Sequence, residues 1–115
     1  MKIHYIEIVT SKVEAICDKY STLYDVKFKE KDPVLGGARV AFLENGGMMG
    51  IRAPMHDKEK PVTRNYVLVK DIEASVNKAK ELGAEIAVPP MEIPGHGKCA
   101  IIIHDDGQES GFWQL

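Results

Sequence analysis

Long apolar runs are missing from this chain, and so is any excess of basic charge. No stretch is long enough and apolar enough to span a bilayer as a helix. Lys and Arg number 15 against 17 Asp and Glu, a formal net charge of −2 with the two signs interleaved. That balance lacks the basic stripe of a nucleic-acid binder and the cationic face of a membrane-surface helix, so neither nucleic acid nor membrane is expected as a partner. The opening Met1-Lys2-Ile3-His4-Tyr5 leads into no long apolar segment, so no secretory signal is expected. Cysteine is scarce. Cys17 and Cys99 stand alone, in no metal or redox spacing, and read as free buried thiols of a cytoplasmic protein. Phosphate-loop and nucleophile-elbow signals are absent too. Gly95-His96-Gly97 has no helix behind it, and Ser110-Gly111 lies inside a strand pattern.

What is present is a chain of 115 residues with 44% apolar content, the size and composition of one globular domain. Laid on itself at an offset of 59, the sequence matches Glu14 with Glu73, Ala15 with Ala74, Lys19 with Lys78, Leu23 with Leu82 and Ala41 with Ala100. The order of element signals repeats as well. Each half opens with a β-rich run, Ile3 to Val9 and Asn65 to Val69. Each run leads into an amphipathic helix, with Val13, Ile16, Cys17, Tyr20 and Leu23 on the first stripe and Ile72, Val76, Ala79 and Leu82 on the second. Ser11 and Glu14 read as a capping box, Asp71 as an N-cap and Gly83 as a C-terminal stop. Three strands are expected after each helix: Val26–Glu30, Ala38–Leu43 and Met48–Arg52, then Glu85–Val88, Lys98–His104 and Glu109–Leu115. Hairpin turns fall at Glu44-Asn45-Gly46-Gly47 and Asp105-Asp106-Gly107. The expected fold is α+β, two tandem βαβββ modules (residues 1–52 and 63–115, with a polar connector 53–62) forming a curved mixed sheet around a concave pocket.

This arrangement resembles the vicinal oxygen chelate superfamily of glyoxalase I, bleomycin resistance proteins and extradiol dioxygenases. The carriers are Tyr5-Ile6-Glu7-Ile8-Val9-Thr10 before the first helix and Tyr66-Val67-Leu68-Val69-Lys70-Asp71-Ile72-Glu73-Ala74 before the second. Lys80-Glu81-Leu82-Gly83-Ala84-Glu85-Ile86, Pro89-Pro90, Ile93-Pro94-Gly95 and the closing Asp106-Gly107 to Phe112-Trp113-Gln114 add to them. The resemblance implies a small-molecule pocket in the sheet and a homodimer. It also implies four metal-ligand positions in the metal-using members, which fall here on Tyr5, Gly50, Arg64 and Gly111. Two of these have no side chain, and a guanidinium repels a dication, so no metal and no cofactor are expected. A one-residue slip that put His4 in place of Tyr5 would turn Ile6 and Ile8 into the pocket.

Strand alternation places Tyr5 and Glu7 on one face, Arg64 and Tyr66 on the matching face, and Arg52, Glu109 and Trp113 beside them. These seven are the expected ligand-binding residues. Glu7 near Arg64 reads either as a structural ion pair or as a general base beside an anion-binding arginine, and Arg52 is a second candidate for a ligand carboxylate or phosphate. Gly50 and Gly111 are expected to leave room in the cavity. The segment Pro94–Lys98 is expected as a loop, with a lid as one reading and His96 its imidazole. Three roles follow. One is a small-molecule binder without turnover. The second is a glyoxalase I-like lyase or isomerase, which needs a Lewis acid. The third is a metal-free acid–base enzyme using Glu7.

Overall fold

The computed structural model describes residues 1–115, which divide into two compact units, Tyr5–Thr63 and Met1–His4 with Arg64–Leu115. The fold is α+β, with mixed strand pairing in each unit. No helix is long and apolar enough to cross a membrane.

In the unit Tyr5–Thr63, strand β1 (Ile3–Val9) leads to helix α1 (Val13–Tyr24), then β2 (Arg39–Phe42) and β3 (Met48–Arg52). The strand order is β2-β3-β1, with β3 parallel to β1 and antiparallel to β2. The expected strand Val26–Glu30 does not form a regular strand. It runs beside β2 with Lys29 N–H donating to Val40 O at 2.9 Å, but Arg39 takes the carbonyls of Lys29 and Phe28 through its Nε and Nη2. Side-chain donors thus replace the ladder partners those carbonyls would otherwise need. The same guanidinium explains a second departure. Glu14, expected in a capping box, accepts from Arg39 Nη1 at 2.7 Å, and the N-cap position of α1 falls on Lys12, with no side-chain cap. The Asn45-Gly46 hairpin forms as expected, with Leu43 N–H donating to Gly47 O.

In the other unit, β4 (Val62–Leu68) is followed by α2 (Ile72–Glu81), β5 (Glu85–Ile93), β6 (Gly97–Ile103) and β7 (Glu109–Gln114), in the order β4-β7-β6-β5. Asp71 caps α2 by accepting from Ala74 N–H at 3.1 Å, and Gly83, at φ +94°, ends it as expected. Ile72 N–H, another orphan of the first turn, donates to Gln114 Oε1 at 2.8 Å. Ile72, Val76 and Ala100 form a buried cluster with Val69, Ile86 and Phe112 packed on it. Leu82, expected on the inner stripe of α2, is instead 78% exposed, because it is the C-cap residue and the chain turns away there. Leu23 likewise lies exposed near the end of α1. Strand β5 runs on through Pro89-Pro90 to Ile93, five residues beyond expectation. It is the outer strand of its unit and its register against β6 shifts twice, which is where prolines fit in a sheet.

Candidate functional site

Both units carry a sheet face turned away from the helix, and strand register assigns the candidate residues to it. In the unit Tyr5–Thr63, the pairs Tyr5–Met48, Glu7–Gly50 and Val9–Arg52 are in register between β1 and β3. Side chains opposite one another share a face, so Tyr5, Glu7, Gly50 and Arg52 lie together. In the other unit, the pairs Tyr66–Gly111 and Leu68–Trp113 bring Arg64, Tyr66, Glu109, Gly111 and Trp113 to one face by the same alternation.

Around Arg52 the structure builds a three-member ion network. Arg52 Nε donates to Glu7 Oε2 at 2.8 Å, while Nη1 and Nη2 donate to the two carboxylate oxygens of Glu59 at 2.8 and 2.7 Å. Nη1 also reaches Ala53 O at 3.2 Å. Glu7 and Arg52 are buried, and Glu59 is held by a further bond from Met55 N–H at 2.7 Å. The bidentate fork to Arg52 pulls the Glu59 carboxyl down from its ordinary 4.5 to about 2, and the same hydrogen bond leads the rise of the Arg52 guanidinium above its own ordinary value. Arg52 was expected to meet a ligand anion. Its guanidinium is instead engaged by two carboxylates of the protein. The residues 53–62, expected as a plain connector, supply one of them.

Arg64 is buried and its Nη2 donates to Glu109 Oε1 at 2.8 Å, with Nε at 3.3 Å from the same oxygen. Tyr66 and Trp113 are both buried and meet edge to face with centroids 5.6 Å apart. The indole N–H of Trp113 donates to His96 O at 2.7 Å. That bond bears on the expected loop. Pro94-Gly95 form a tight turn, His96 N–H donating to Ile93 O at 2.8 Å with Gly95 at φ +79°, the pattern of a type II turn. The segment is a hairpin tip tied to the core through Trp113, not a loose lid. His4 is buried against Trp113 at 5.4 Å. Burial first, then the charges of Lys2 and His96, lower its pKa, so the imidazole is held neutral.

The glycines Gly50 and Gly111 were expected to leave open space. Each is instead covered by a ring. A Cβ built on Gly50 would collide with the hydroxyl of Tyr5, and one on Gly111 would collide with the ring of Tyr66. These are two of the four positions at which the resemblance places metal ligands. Of the other two, Tyr5 is the phenol over Gly50, and Arg64 is a permanent cation bonded to Glu109. Divalent metals are held by carboxylate, imidazole, thiolate or carbonyl donors, and neither half-set supplies such a side chain. Nowhere do three or more His, Cys, Asp or Glu side chains gather in a way that fits an ion. The residues present do not fit the metal of the metal-using members.

Four further contributors carry no signal of their role in the sequence. Glu59 sat in a stretch read only for its polarity. Gln114 was one more strand residue. His104 and Ser110, which share a hydrogen bond of 2.9 Å between Nε2 and Oγ, lie on the helix side of the sheet, away from the expected pocket. Side-chain partners 42 or 45 residues away leave no periodic trace in a sequence.

Comparison with known proteins fits this architecture. No family model matches the sequence. The chain is 26% identical over 117 residues to the protein named "Putative glyoxylase CFP32" of Mycobacterium tuberculosis, covering 96% of this chain and 44% of that one. It therefore spans less than half the length of the curated relatives it matches. Among solved structures, a glyoxalase/bleomycin resistance protein/dioxygenase superfamily member from Vibrio splendidus superposes with a TM-score of 0.70 at 14% identity, covering 99% of this chain and 98% of that one. Methylmalonyl-CoA epimerase from Mycobacterium tuberculosis gives a TM-score of 0.70 at 15% identity over 97% of this chain and 86% of that one.

Proposed function

We propose that this chain, which has the vicinal oxygen chelate fold of the glyoxalase/bleomycin resistance/dioxygenase superfamily, is a small-molecule-binding protein that works without a bound metal. The observation that carries the reading is the pair of rings over Gly50 and Gly111. Where metal-using relatives are expected to project ligands, this chain places the Tyr5 phenol and the Tyr66 ring. The faces they belong to also hold buried Glu7, Arg64 and Trp113. Buried charges set among aromatic surfaces suit an organic ligand of mixed or anionic character, because the rings take the apolar body and a guanidinium takes a carboxylate or phosphate. Arg64 is the anion partner in this reading. Its counter-ion Glu109 is one-third exposed at the side chain and can swing out when a ligand anion takes its place.

A thermal-shift screen of small organic acids tests the proposal. Binding to the folded state alone raises the melting temperature in proportion to ligand excess. Stabilisation by one or more anions, lost in Arg64→Gln, is the expected result. No stabilisation across the screen, or stabilisation unchanged in Arg64→Gln, contradicts it.

A second reading has an observation of its own. Glu7 is a buried carboxylate on the candidate face, a group able to take a proton from a bound substrate. As a metal-free acid–base enzyme the protein would turn over a substrate that Glu7→Gln still binds but no longer converts. A homodimer in the cytoplasm, where two buried cysteines outside any disulfide are stable, completes the proposal. Sedimentation of the purified chain checks the dimer.

A further inference from the structure

On the helix side of the sheet in the unit that holds α2, a groove of about 270 Å³ opens between α2 and strands β6 and β7. It lies across the sheet from the Arg64–Trp113 face, since Phe112 and Ser110 alternate with Gly111 and Trp113 along β7. Its apolar lining is Ala79, Ile102 and Phe112, together with Leu82, which is 78% exposed. Its polar groups are Ser75, Lys78 and His104, and His104 is hydrogen-bonded to Ser110 at 2.9 Å. No carboxylate lines it. Asp105 rests against Gly83, outside the lining.

We propose that this groove is a ligand site in its own right, taking the apolar chain or single ring of a small carboxylate whose head group meets Lys78 and the His104–Ser110 pair. Three features select that class. Size comes first: the volume sits just under the usual range of about 300–1,000 Å³ for drug-sized ligands, so the occupant is a short chain or one ring. Charge comes second: Lys78 is an ammonium beside an apolar trough with no competing acid in the lining, which favours an anion. Hydrogen bonding comes third. When His104 Nε2–H donates to Ser110 Oγ just behind the lining, the serine hydroxyl keeps its own proton available for donation to a carboxylate oxygen. Leu82 would then change from a solvated side chain to the cover of an apolar tail, recovering part of the hydrophobic contribution of its burial.

Octanoate is the probe. Titrated into isotope-labelled protein, it is expected to shift the backbone amides of Lys78–Gly83, Ile102–His104 and Ser110–Phe112 in a saturable way, with a Kd of about 0.1–1 mM. Lys78→Glu should weaken binding about tenfold and Leu82→Ser about fivefold, while octanol, which lacks the anionic head, should bind at least about fivefold more weakly than octanoate. Both positions are exposed, so both variants fold and their amide spectra provide the check. The proposal is overturned by any of four results: no saturable shift at these amides, shifts indifferent to both substitutions, octanol equal to octanoate, or a self-association that buries Leu82 and excludes the probe. None of these results bears on the Arg64 face, which the thermal-shift screen tests separately.

Discussion

Glu59 grips Arg52 with both oxygens of its carboxylate, at 2.8 and 2.7 Å, and so ties the segment after β3 back onto the buried strand it has just left. A carboxyl held at about 2 in the folded protein and at 4.5 when free of its partner binds fewer protons folded than unfolded between those values. Its stabilisation is therefore complete above about pH 4.5 and is lost as the pH falls toward about 2. The difference corresponds to a contribution on the order of 3 kcal/mol. Chemical denaturation across this range should show the loss in the wild-type protein. Glu59→Gln should be about 2 kcal/mol less stable at neutral pH and should show a shallower slope below pH 4.5. An unchanged slope would remove Glu59 from the account.

The network is asymmetric in burial. Glu7 lies deeper than Glu59, with side-chain exposures of 9% and 17%. Removing one member of a buried pair leaves the other charge uncompensated, at a cost of about 3–5 kcal/mol. Glu7→Ala is expected to be the more damaging of the two carboxylate substitutions. Urea midpoints for Glu7→Ala and Glu59→Ala, measured side by side, give the ranking directly.

The two ring-covered glycines differ in a way that ranks their substitution. At Gly50 the obstacle to a Cβ is the far end of a side chain, the Tyr5 hydroxyl. At Gly111 it is the body of the Tyr66 ring, including Cγ and Cδ2 close to the backbone. Both rings are rigid and buried, but a small rotation about the Tyr5 Cα–Cβ bond carries its distant hydroxyl away, while the same rotation in Tyr66 hardly moves its Cγ, so Gly111→Ala should cost more than Gly50→Ala, about 3 against about 2 kcal/mol. Pairing Gly111→Ala with Tyr66→Leu should recover at least about 1 kcal/mol of the loss. Additive costs in that cycle would show that the ring is not what the glycine accommodates.

Gln114 accepts from the first N–H of α2 across 42 residues of sequence. Gln114→Ala should lower stability by about 1 kcal/mol, the usual cost of a lost cap. Amide exchange at Ile72 should quicken in that variant while exchange in α1 does not.

Local rules read most of this fold correctly. Alternation set β1 and β3 to the residue, Asp71 and Gly83 bracketed α2, and the glycine turns closed both hairpins where they were expected. What escaped was long-range side-chain chemistry. Arg39 diverted Glu14 from a cap and kept Val26–Glu30 out of the ladder, and nothing near either residue signals it. The face of each candidate residue was legible because strand alternation is a local property. The partners were not. Arg52 and Glu7 lie 45 residues apart, and so do Arg64 and Glu109, so only folding shows which acid each arginine takes. The open space expected over Gly50 and Gly111 failed for the same reason: a missing side chain reads as a gap until the tertiary structure shows what fills it.

The proposed role rests on a site unsuited to a dication, and metal content is its most direct test. Protein purified without chelators and dialysed against zinc, nickel, manganese and iron should carry far less than one equivalent of any of them by elemental analysis. Close to one equivalent of a tightly held transition metal, released by Tyr5→Phe, would contradict the account.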